Sequence, residues 1–555
     1  MSPFIKKHHR VIFYISWILI GLFQAYFTEL QDDEAYYWIY SHYLAWGYFD
    51  HPPMIALMIK AGTIFFTNEL SIRFFPLLLN TLTLLITEKL CTKKDPFIFY
   101  TICLSMIILQ LAGFFAVPDI PLVFFTSVLF LVYKWYAENP DWKNSILLGV
   151  IAACLMYSKY HGALVILFII LSNIRMLKDP KIYAAGFLCA ILFLPHIYWQ
   201  YQHNWITFRY HLFERSADDY DLLFTSDYLL GQLLIAGPLM GILFWPISFI
   251  YRPANKLETA LKFTAIGFFL FFLISTLKGR VEANWTAPAL IPLIVLSHQF
   301  FQGNKSWKRW FIILAIPSIL IILAARILTI INIVPADPIT ERYFAWKQWP
   351  GILKKETNRL PVVFNSNYQR ASKYRFYTGQ LTYSLNSYTQ RQNNYNFWPI
   401  EDSLLGKAVY VMDIYSTDTF QHRIQTPLWQ IGYSSDSSFH SYSKIQIRPE
   451  RGKYTVNENN SLRINFRIDI PSLYFSFLEK HPEEDEPIII GVFKKDYKIK
   501  DIYTGICIND IIKKNITDVS FNPQLLSGSY SLIFAIRSSD KTFTKNSDRV
   551  VLEVK

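Results

Sequence analysis

The sequence predicts a polytopic α-helical membrane domain over residues 1–334, followed by an extracytoplasmic α/β unit over 335–443 and a small β-sandwich over 444–555. Three observations predict this class. The 555-residue chain is 52% hydrophobic and only 17% charged, a balance that soluble proteins rarely show. Its first part contains apolar runs that are long enough to cross a bilayer. Its last part alternates polar and apolar side chains, as half-buried strands do.

Apolar runs define the membrane domain. The first run follows Lys6, Lys7 and Arg10, but it is too long for a signal-peptide core and no small-residue cleavage site follows it, so we expect an uncleaved span. The two runs that flank Lys159 are short, and they are either two short helices or one span with a polar break. Runs of spanning or near-spanning length lie near residues 11–28, 74–90, 97–115, 120–137, 145–158, 161–174, 182–200, 227–250, 261–277, 284–302 and 310–334.

The positive charges of the loops predict the orientation. If the N-terminus is cytoplasmic and the two short runs are two spans, every cytoplasmic loop is rich in lysine and arginine, which is the positive-inside pattern. The net charge of +12 therefore reflects membrane topology, and no nucleic-acid partner is expected. We expect a multi-pass protein of the cell inner membrane whose residues after about 335 are periplasmic. The outward loops hold fewer cations, namely Lys60, Arg73, Lys159, Arg209, Arg215, Lys278 and Arg280.

The two units after Pro335-Ala336-Asp337-Pro338 are predicted from shorter patterns. In the α/β unit, residues 368–377 predict a helix that ends at Gly379. Strands are predicted in this unit at 361–364, 381–385 and 408–414. The strands predicted in the β-sandwich lie at 463–470, 488–493, 529–536 and 550–554. The role of this last unit is left open.

A run of carboxylates follows the first span directly. Three consecutive acids, Asp32, Asp33 and Glu34, are costly to dehydrate, so we expect them at the water side of the span or in a polar cavity. His51 and the two prolines after it stop the helix that follows, because proline removes a backbone donor. The alternative is that the acids only favour a helix N-terminus through the helix dipole.

Outward-facing polar residues gather in four places. Because lysine and arginine hold phosphates and a carboxylate accepts a proton from an attacking hydroxyl, these places predict a site for an anionic substrate delivered by the membrane. Two simpler explanations remain, since Lys159 and Arg280 could snorkel at span ends and Asp119 could cap the next span. The four places are Asp33/Glu34 with Asp50/His51, then Asp119, then Lys159/His161, and finally Lys278–Glu282.

Five motifs carry a resemblance to a known family. The sequence resembles membrane glycosyltransferases of the GT-C fold, specifically the bacterial relatives of protein O-mannosyltransferases and of the lipid A aminoarabinose transferase. The resemblance covers roughly the first 300 residues and, weakly, the α/β unit from Tyr368 to Trp398. The motifs are Asp33-Glu34-Ala35-Tyr36-Tyr37, Tyr48-Phe49-Asp50-His51-Pro52-Pro53, Pro118-Asp119 with Pro121-Leu122, Ser158-Lys159-Tyr160 and Gly279-Arg280-Val281-Glu282-Ala283-Asn284-Trp285.

The resemblance implies a reaction and its partners. It implies transfer of a monosaccharide from a polyprenyl-phosphate donor to an acceptor lipid, glycan or protein hydroxyl at the outer membrane face. Membrane lipid is a further expected partner. An external site fits a lipid-linked donor because nucleotide sugars are cytoplasmic, and no glycine-rich phosphate loop follows a strand on the cytoplasmic side.

The resemblance also implies residue roles. Asp33 maps to the catalytic carboxylate, with Glu34 and Asp119 as supporting acids. His51 stands where the aminoarabinose transferase has a lysine, and a histidine is cationic only part of the time, which moves phosphate binding toward Lys159 or Arg280. No cofactor is required, although Glu34 and His51 could ligate a divalent metal ion. The residues expected to bind the donor phosphate or substrate are Tyr37, Asp50, His51, Lys159, His161, Lys278 and Arg280.

Two other functions compete with this one. A lipid or glycan transporter, such as a flippase, also keeps acids and bases in its spans. Against it, the charges lie at span ends on one face, and the sequence contains no repeated half. A polysaccharide polymerase or ligase would share the lipid substrate, but it would lack the combination of Asp33-Glu34 with His51-Pro52-Pro53.

Overall fold

The computed structural model describes residues 3–92, 95–214, 219–333, 337–514 and 516–555. It divides the chain into two compact units, Met1–Phe344 and Ala345–Lys555. The sequence-based boundary between 334 and 335 lies outside the described residues, and the boundary between 443 and 444 lies within the second unit. Both boundaries remain predictions.

The first unit is helical. Short π-helical turns occur at Ile108–Ala112 and Tyr210–Glu214, and 3-10 turns at Ile174–Lys178 and Ala283–Ala289. Its α-helices are α1 (Pro3–Phe27), α2 (Asp32–His42), α3 (Met54–Gly62), α4 (Leu70–Leu90), α5 (Pro96–Ser105), α6 (Asp119–Glu138), α7 (Trp142–Ser158), α8 (Gly162–Ser172), α9 (Pro180–Gln202), α10 (Ile206–Arg209), α11 (Leu222–Ala236), α12 (Gly241–Ile250), α13 (Lys256–Ser275), α14 (Leu290–Gly303), α15 (Lys305–Leu328) and α16 (Asp337–Tyr343).

Several of these helices are long and apolar enough to cross a membrane. Within the described part of the chain there are six, α1, α4, α6, α9, α13 and α15, and the bent pair α11 and α12 makes a seventh if it is one span. The pair bends by 97° at Gly237-Pro238. Proline cannot donate a helix hydrogen bond, and Gly237 has φ +145°, a conformation that side-chain-bearing residues rarely adopt. The run predicted near 227–250 is therefore broken and not straight.

The ambiguity at Lys159 is resolved in favour of two helices. Helix α7 ends at Ser158 and α8 begins at Gly162, so that Lys159, Tyr160 and His161 form the turn between them. The Gly162 N–H donates to the Lys159 carbonyl at 2.9 Å. A Cβ atom at Gly162 would lie 2.9 Å from the Leu155 carbonyl oxygen, so this tight turn requires glycine.

The described residues of the second unit form three sheets. Its helices are α17 (Trp349–Glu356), α18 (Tyr368–Thr378), α19 (Ser472–Lys480) and α20 (Ile508–Lys514). Its strands are β1 (Val362–Asn365), β2 (Thr382–Leu385), β3 (Lys407–Asp413), β4 (His422–Gln425), β5 (Gln430–Phe439), β6 (Gln446–Pro449), β7 (Lys453–Val456), β8 (Leu462–Asp469), β9 (Pro487–Lys494), β10 (Tyr497–Cys507), β11 (Asp518–Phe521), β12 (Gly528–Arg537), β13 (Phe543–Lys545) and β14 (Val550–Val554).

The sheet topology confirms the predicted α/β and β character. One sheet has the order β2-β1-β3-β5-β4, in which β1 pairs in parallel with β2 and β3. A second sheet follows β10-β9-β12-β14-β7, with β13 beside β12, and a third has the order β11-β8-β6. The predicted helix at 368–377 and all seven predicted strands occur within one or two residues of their predicted ends.

Candidate functional site

Glu34 lies completely buried in the first turn of α2. Its Oε1 accepts hydrogen bonds from Arg73 Nε at 2.8 Å and from the Ala116 N–H at 2.9 Å. Its Oε2 accepts from Arg73 Nη2 at 2.5 Å and from the Gln31 N–H at 3.0 Å. Four accepted hydrogen bonds fill the capacity of a carboxylate. The side chain therefore holds the start of α2 against α4 and against the loop that precedes Asp119.

The N–H donors of Arg73 are likewise all used. Besides its two bonds to Glu34, Nη1 donates to the carbonyls of Ala25 and Thr28 at 2.9 and 2.6 Å, and Nη2 donates to the Glu29 carbonyl at 3.0 Å. All five guanidinium donors thus have acceptors. Three of these acceptors are carbonyls at the end of α1, where a cation interacts favourably with the helix dipole.

Asp33 has the opposite environment to Glu34. Its side chain is exposed, although it is the next residue along α2. Because the Glu34 carboxylate bonds Ala116, the turn that carries Asp33 lies beside the loop that leads to Asp119. The structure therefore brings the two sequence-predicted acidic loops together and leaves Asp33 accessible.

Asp119, Lys159 and Asn284 form one group. Lys159 Nζ lies 2.8 Å from Asp119 Oδ1, and both side chains are nearly buried. Asn284 Nδ2 donates to Asp119 Oδ2 at 3.1 Å. The motifs that contain Lys159 and Asn284 therefore meet at Asp119, the first residue of α6, and the ring of His161 lies 5.6 Å from that of Trp285. Lys159 is thus paired and buried and does not snorkel freely.

The loop that follows α2 places Asp50 and His51 beside aromatic residues. The Tyr40 hydroxyl donates to Asp50 Oδ2 at 3.4 Å, and the ring of Tyr37 lies edge-on to His51 at 5.7 Å. Burial raises the pKa of Tyr48, so its hydroxyl stays protonated. This hydroxyl donates to the carbonyls of Tyr40 and Tyr43.

Lys278 and Arg280 are exposed. Arg280 Nε lies 3.5 Å from Glu282 Oε1, and both side chains are about half or more exposed to solvent. In the described structure Asn284, four residues after Arg280, contacts Asp119, whereas Arg280 lies near Glu282.

The residues present do not fit a metal bound by Glu34 and His51. Both oxygens of Glu34 are already occupied by Arg73 and backbone donors. In the described ranges, no group of three or more His, Cys, Asp and Glu side chains is arranged to hold a metal ion.

Sequence reasoning missed two residues of this site. Arg73 was counted only as an outward cation, although a charged residue at the start of an apolar run is expected to have a partner. Asn284 belongs to a matched motif, but an amide carries no charge signal. Arg73 pairs with Glu34, and Asn284 pairs with Asp119. Each pair is far apart in the sequence, so local patterns do not reveal the pairing.

Comparisons with known proteins find similarity to glycosyltransferases. A family model described as dolichyl-phosphate-mannose-protein mannosyltransferase matches residues 50–199. The lipid A galacturonosyltransferase RgtD of Rhizobium johnstonii is 25% identical over 292 residues, which are 49% of this chain and 60% of that protein. The chain thus covers less than two thirds of this relative.

Solved structures show the same fold. The crystal structure of ArnT from Cupriavidus metallidurans bound to undecaprenyl phosphate is similar with a TM-score of 0.58 and 11% identity, over 76% of this chain and 97% of that one. Its apo state gives a TM-score of 0.59 at 11% identity, over 77% and 98% of the two chains. The resemblance carried by the motifs is thereby confirmed, and the chain has the GT-C fold that these membrane glycosyltransferases share.

Proposed function

We propose that this protein transfers a monosaccharide from a polyprenyl-phosphate donor to an envelope acceptor at the outer face of the inner membrane. The observation that carries the proposal is the exposed carboxylate of Asp33 beside the buried group of Asp119, Lys159 and Asn284. An exposed acid can reach a substrate, and a lysine held in place can bind a phosphate.

Asp33 is the proposed catalytic carboxylate. It accepts the proton of the acceptor hydroxyl while the hydroxyl oxygen attacks the anomeric carbon of the sugar. The bond between that carbon and the phosphate oxygen breaks, and its electron pair leaves with the polyprenyl phosphate. Glu34 supports this step by holding the turn that carries Asp33, through its bonds to Arg73 and Ala116.

The donor phosphate is proposed to bind at Lys159. In the structure described above, its ammonium faces the carboxylate of Asp119, and an incoming phosphate would become a second anionic partner. Tyr37, Asp50, His51 and His161 line the proposed substrate region. Lys278 and Arg280 are proposed to meet the donor from the exposed side.

The proposed location is the inner membrane, with the site and the second unit in the periplasm. Apolar helices and similarity to membrane glycosyltransferases support a multi-pass protein. The excess of lysine and arginine in alternate loops supports this orientation of the chain across the membrane. The relative that acts on lipid A supports a lipid acceptor, among the lipid, glycan and protein hydroxyls that the chemistry allows.

Mass spectrometry of envelope lipids, glycans and proteins from a deletion strain tests the proposal. A sugar modification should disappear in the deletion strain and return with the wild-type gene but not with Asp33→Asn. Restoration by Asp33→Asn would contradict the catalytic assignment, and an unchanged envelope would contradict the function.

A further inference from the structure

A second set of buried polar residues lies on α9 and the turns that follow it. His196, Gln200 and Thr207 are fully buried, and none belongs to the motifs that predicted the site. Buried polar groups are costly unless they are hydrogen-bonded. The hydrogen-bond partners of these three side chains therefore show which segments they hold together.

Three side chains from this region bind the backbone of the Asp50 loop. His196 Nδ1 donates to the Trp46 carbonyl at 2.7 Å, and Thr207 Oγ1 donates to the Tyr48 carbonyl at 3.1 Å. His211 Nε2 donates to the Asp50 carbonyl at 3.3 Å. The accepting residues Trp46, Tyr48 and Asp50 are two positions apart, so the segment that leads to His51 is held at regular intervals.

The same region binds the turn between α7 and α8. The Tyr160 hydroxyl lies 2.9 Å from His196 Nε2, and Gln200 Nε2 donates to that hydroxyl at 3.1 Å. Since Nδ1 of His196 carries the proton given to Trp46, Nε2 of the neutral ring accepts from Tyr160. Burial raises the pKa of Tyr160, which keeps its hydroxyl protonated for this bond. Tyr160 directly follows Lys159.

Close packing limits movement between the Asp50 loop and α9. A Cβ atom at Gly47 would lie 2.5 Å from the ring of Trp199 and 3.0 Å from Cε1 of His196. Only glycine fits at this approach of backbone to helix. Gln200 Nε2 also donates to Thr207 Oγ1 at 2.8 Å, which joins the two groups of bonds into one network.

We infer that His196 and Gln200 are positioning residues for the transfer reaction: they hold the Asp50–His51 loop and the Lys159 turn at a fixed separation, so that both face one phosphate. This inference rests on the proposed function, because it assigns the network to the donor site. The residues act through Tyr160 and through backbone carbonyls. They are not catalytic residues.

The chain offers a matched control. His298 on α14 is also buried, donates from Nε2 to the Asp95 carbonyl at 2.9 Å, and is contacted by a glutamine four residues later, Gln302. His196 and Gln200 have the same spacing. The loop that contains Asp95 carries none of the predicted site residues.

The test measures binding of undecaprenyl phosphate to the purified full-length chain in nanodiscs, together with the thermal unfolding midpoint. His196→Phe removes both hydrogen bonds of the ring and should weaken binding about tenfold, the order expected from the small net contribution of buried hydrogen bonds. Tyr160→Phe, which removes a single oxygen atom, should weaken it in the same direction. The double variant should be no weaker than the stronger single variant, because both break one network.

The control separates positioning from stability. His298→Phe should lower the unfolding midpoint and leave the affinity for undecaprenyl phosphate unchanged. Wild-type affinity in both His196→Phe and Tyr160→Phe, or equal weakening in His298→Phe, would overturn the positioning role while leaving the proposed function intact. If the wild-type chain itself did not bind undecaprenyl phosphate, the proposed function would fail and the positioning role with it.

Discussion

Two adjacent acids at the start of α2 have different environments. Glu34 is buried and its oxygens are filled by Arg73, Ala116 and Gln31, whereas Asp33 is exposed. A carboxylate that must accept a proton needs access to the substrate. A buried carboxylate that fixes a helix instead needs hydrogen-bond partners for both of its oxygens. In the proposed mechanism, the Asp33-Glu34 pair therefore combines the reactive carboxylate with the residue that anchors it.

Asp33→Asn tests the reactive half of this pair. The amide keeps the shape and hydrogen bonding of the side chain but removes the base, so turnover should fall by about 10²–10⁴-fold. Binding of undecaprenyl phosphate should survive, because Lys159 and its partners are untouched. The measurement is transfer from polyprenyl-phosphate sugars extracted from host membranes. Turnover like that of the wild type would move the role to Asp119.

Lys159 can be tested together with Asp119. Lys159→Met leaves a nearly buried carboxylate without its cation, so it should both destabilise the protein and weaken binding of undecaprenyl phosphate. Adding Asp119→Asn removes the unpaired charge and should recover the unfolding midpoint, but binding should stay weak. If binding recovered together with stability in the double variant, Lys159 would not hold the phosphate.

At the scale of elements, Arg73 joins four parts of the first unit. It bonds the end of α1 and the start of α2, lies on α4, and shares Glu34 with the loop before Asp119. A buried cation with five acceptors cannot be replaced by lysine without loss, because lysine lacks the planar fork. The geometry of Asp33 thus depends on a residue of another helix.

Arg73→Leu should destabilise the protein by about 3–5 kcal/mol, because it leaves Glu34 as an unpaired buried charge. The control is Arg10→Leu, which breaks a more exposed pair with Glu88 and should cost about 1 kcal/mol or less. Unfolding monitored in detergent at graded denaturant concentrations measures both. Equal effects of the two substitutions would contradict the anchoring role of Arg73.

Local signals explain which elements could be predicted from the sequence. Helix α18 is predicted from its pattern and from Gly379, which ends it in the structure with φ +72°. The structure adds a cap at its start, where the Asn367 side chain accepts from the Arg370 N–H. Gly237 and Pro238 are equally clear signals for a break in a helix. They lie inside a long apolar run, however, and that run by itself predicts one continuous span. The pairings of Glu34 with Arg73 and of Asp119 with Asn284 depend on tertiary contacts, which local patterns cannot reveal.

We expect His440 to make the stability of the second unit depend on pH. Burial lowers its pKa, but hydrogen bonds to Glu486 and the Ser438 carbonyl, together with the charge of Glu484, outweigh burial and raise the pKa above its ordinary value of 6.5. The Glu486 carboxylate is buried, and it also binds Arg537 at 2.6 Å.

A raised pKa in the folded state means that protonation of His440 stabilises the fold. This contribution is complete below the ordinary pKa of the unfolded chain and is lost as the pH rises through the raised pKa of the folded state. The unfolding midpoint of a fragment spanning 345–555 should therefore fall between mildly acidic and alkaline pH. His440→Gln should flatten that part of the curve, and an unchanged slope in this variant would contradict the assignment.

At the scale of the whole molecule, the chain combines a helical unit of the GT-C fold with a second unit of three sheets. The residues proposed for transfer all belong to the helical unit, from Asp33 to Arg280. The second unit contributes none of them, and we expect its part after Lys444 to be dispensable for the bond-breaking step. The central claim is that the helical unit cleaves a polyprenyl-phosphate sugar and does not merely move it.

The most direct test of this claim is the fate of the lipid carrier. Purified wild-type protein in liposomes is supplied with polyprenyl-phosphate sugars and acceptors extracted from host membranes, and free polyprenyl phosphate is measured by mass spectrometry. We expect free polyprenyl phosphate and glycosylated acceptor to appear at the same rate. This rate should be about 10²–10⁴-fold lower with Asp33→Asn. Movement of the intact lipid-linked sugar across the bilayer, with no release of free polyprenyl phosphate, would contradict the account and identify a transporter.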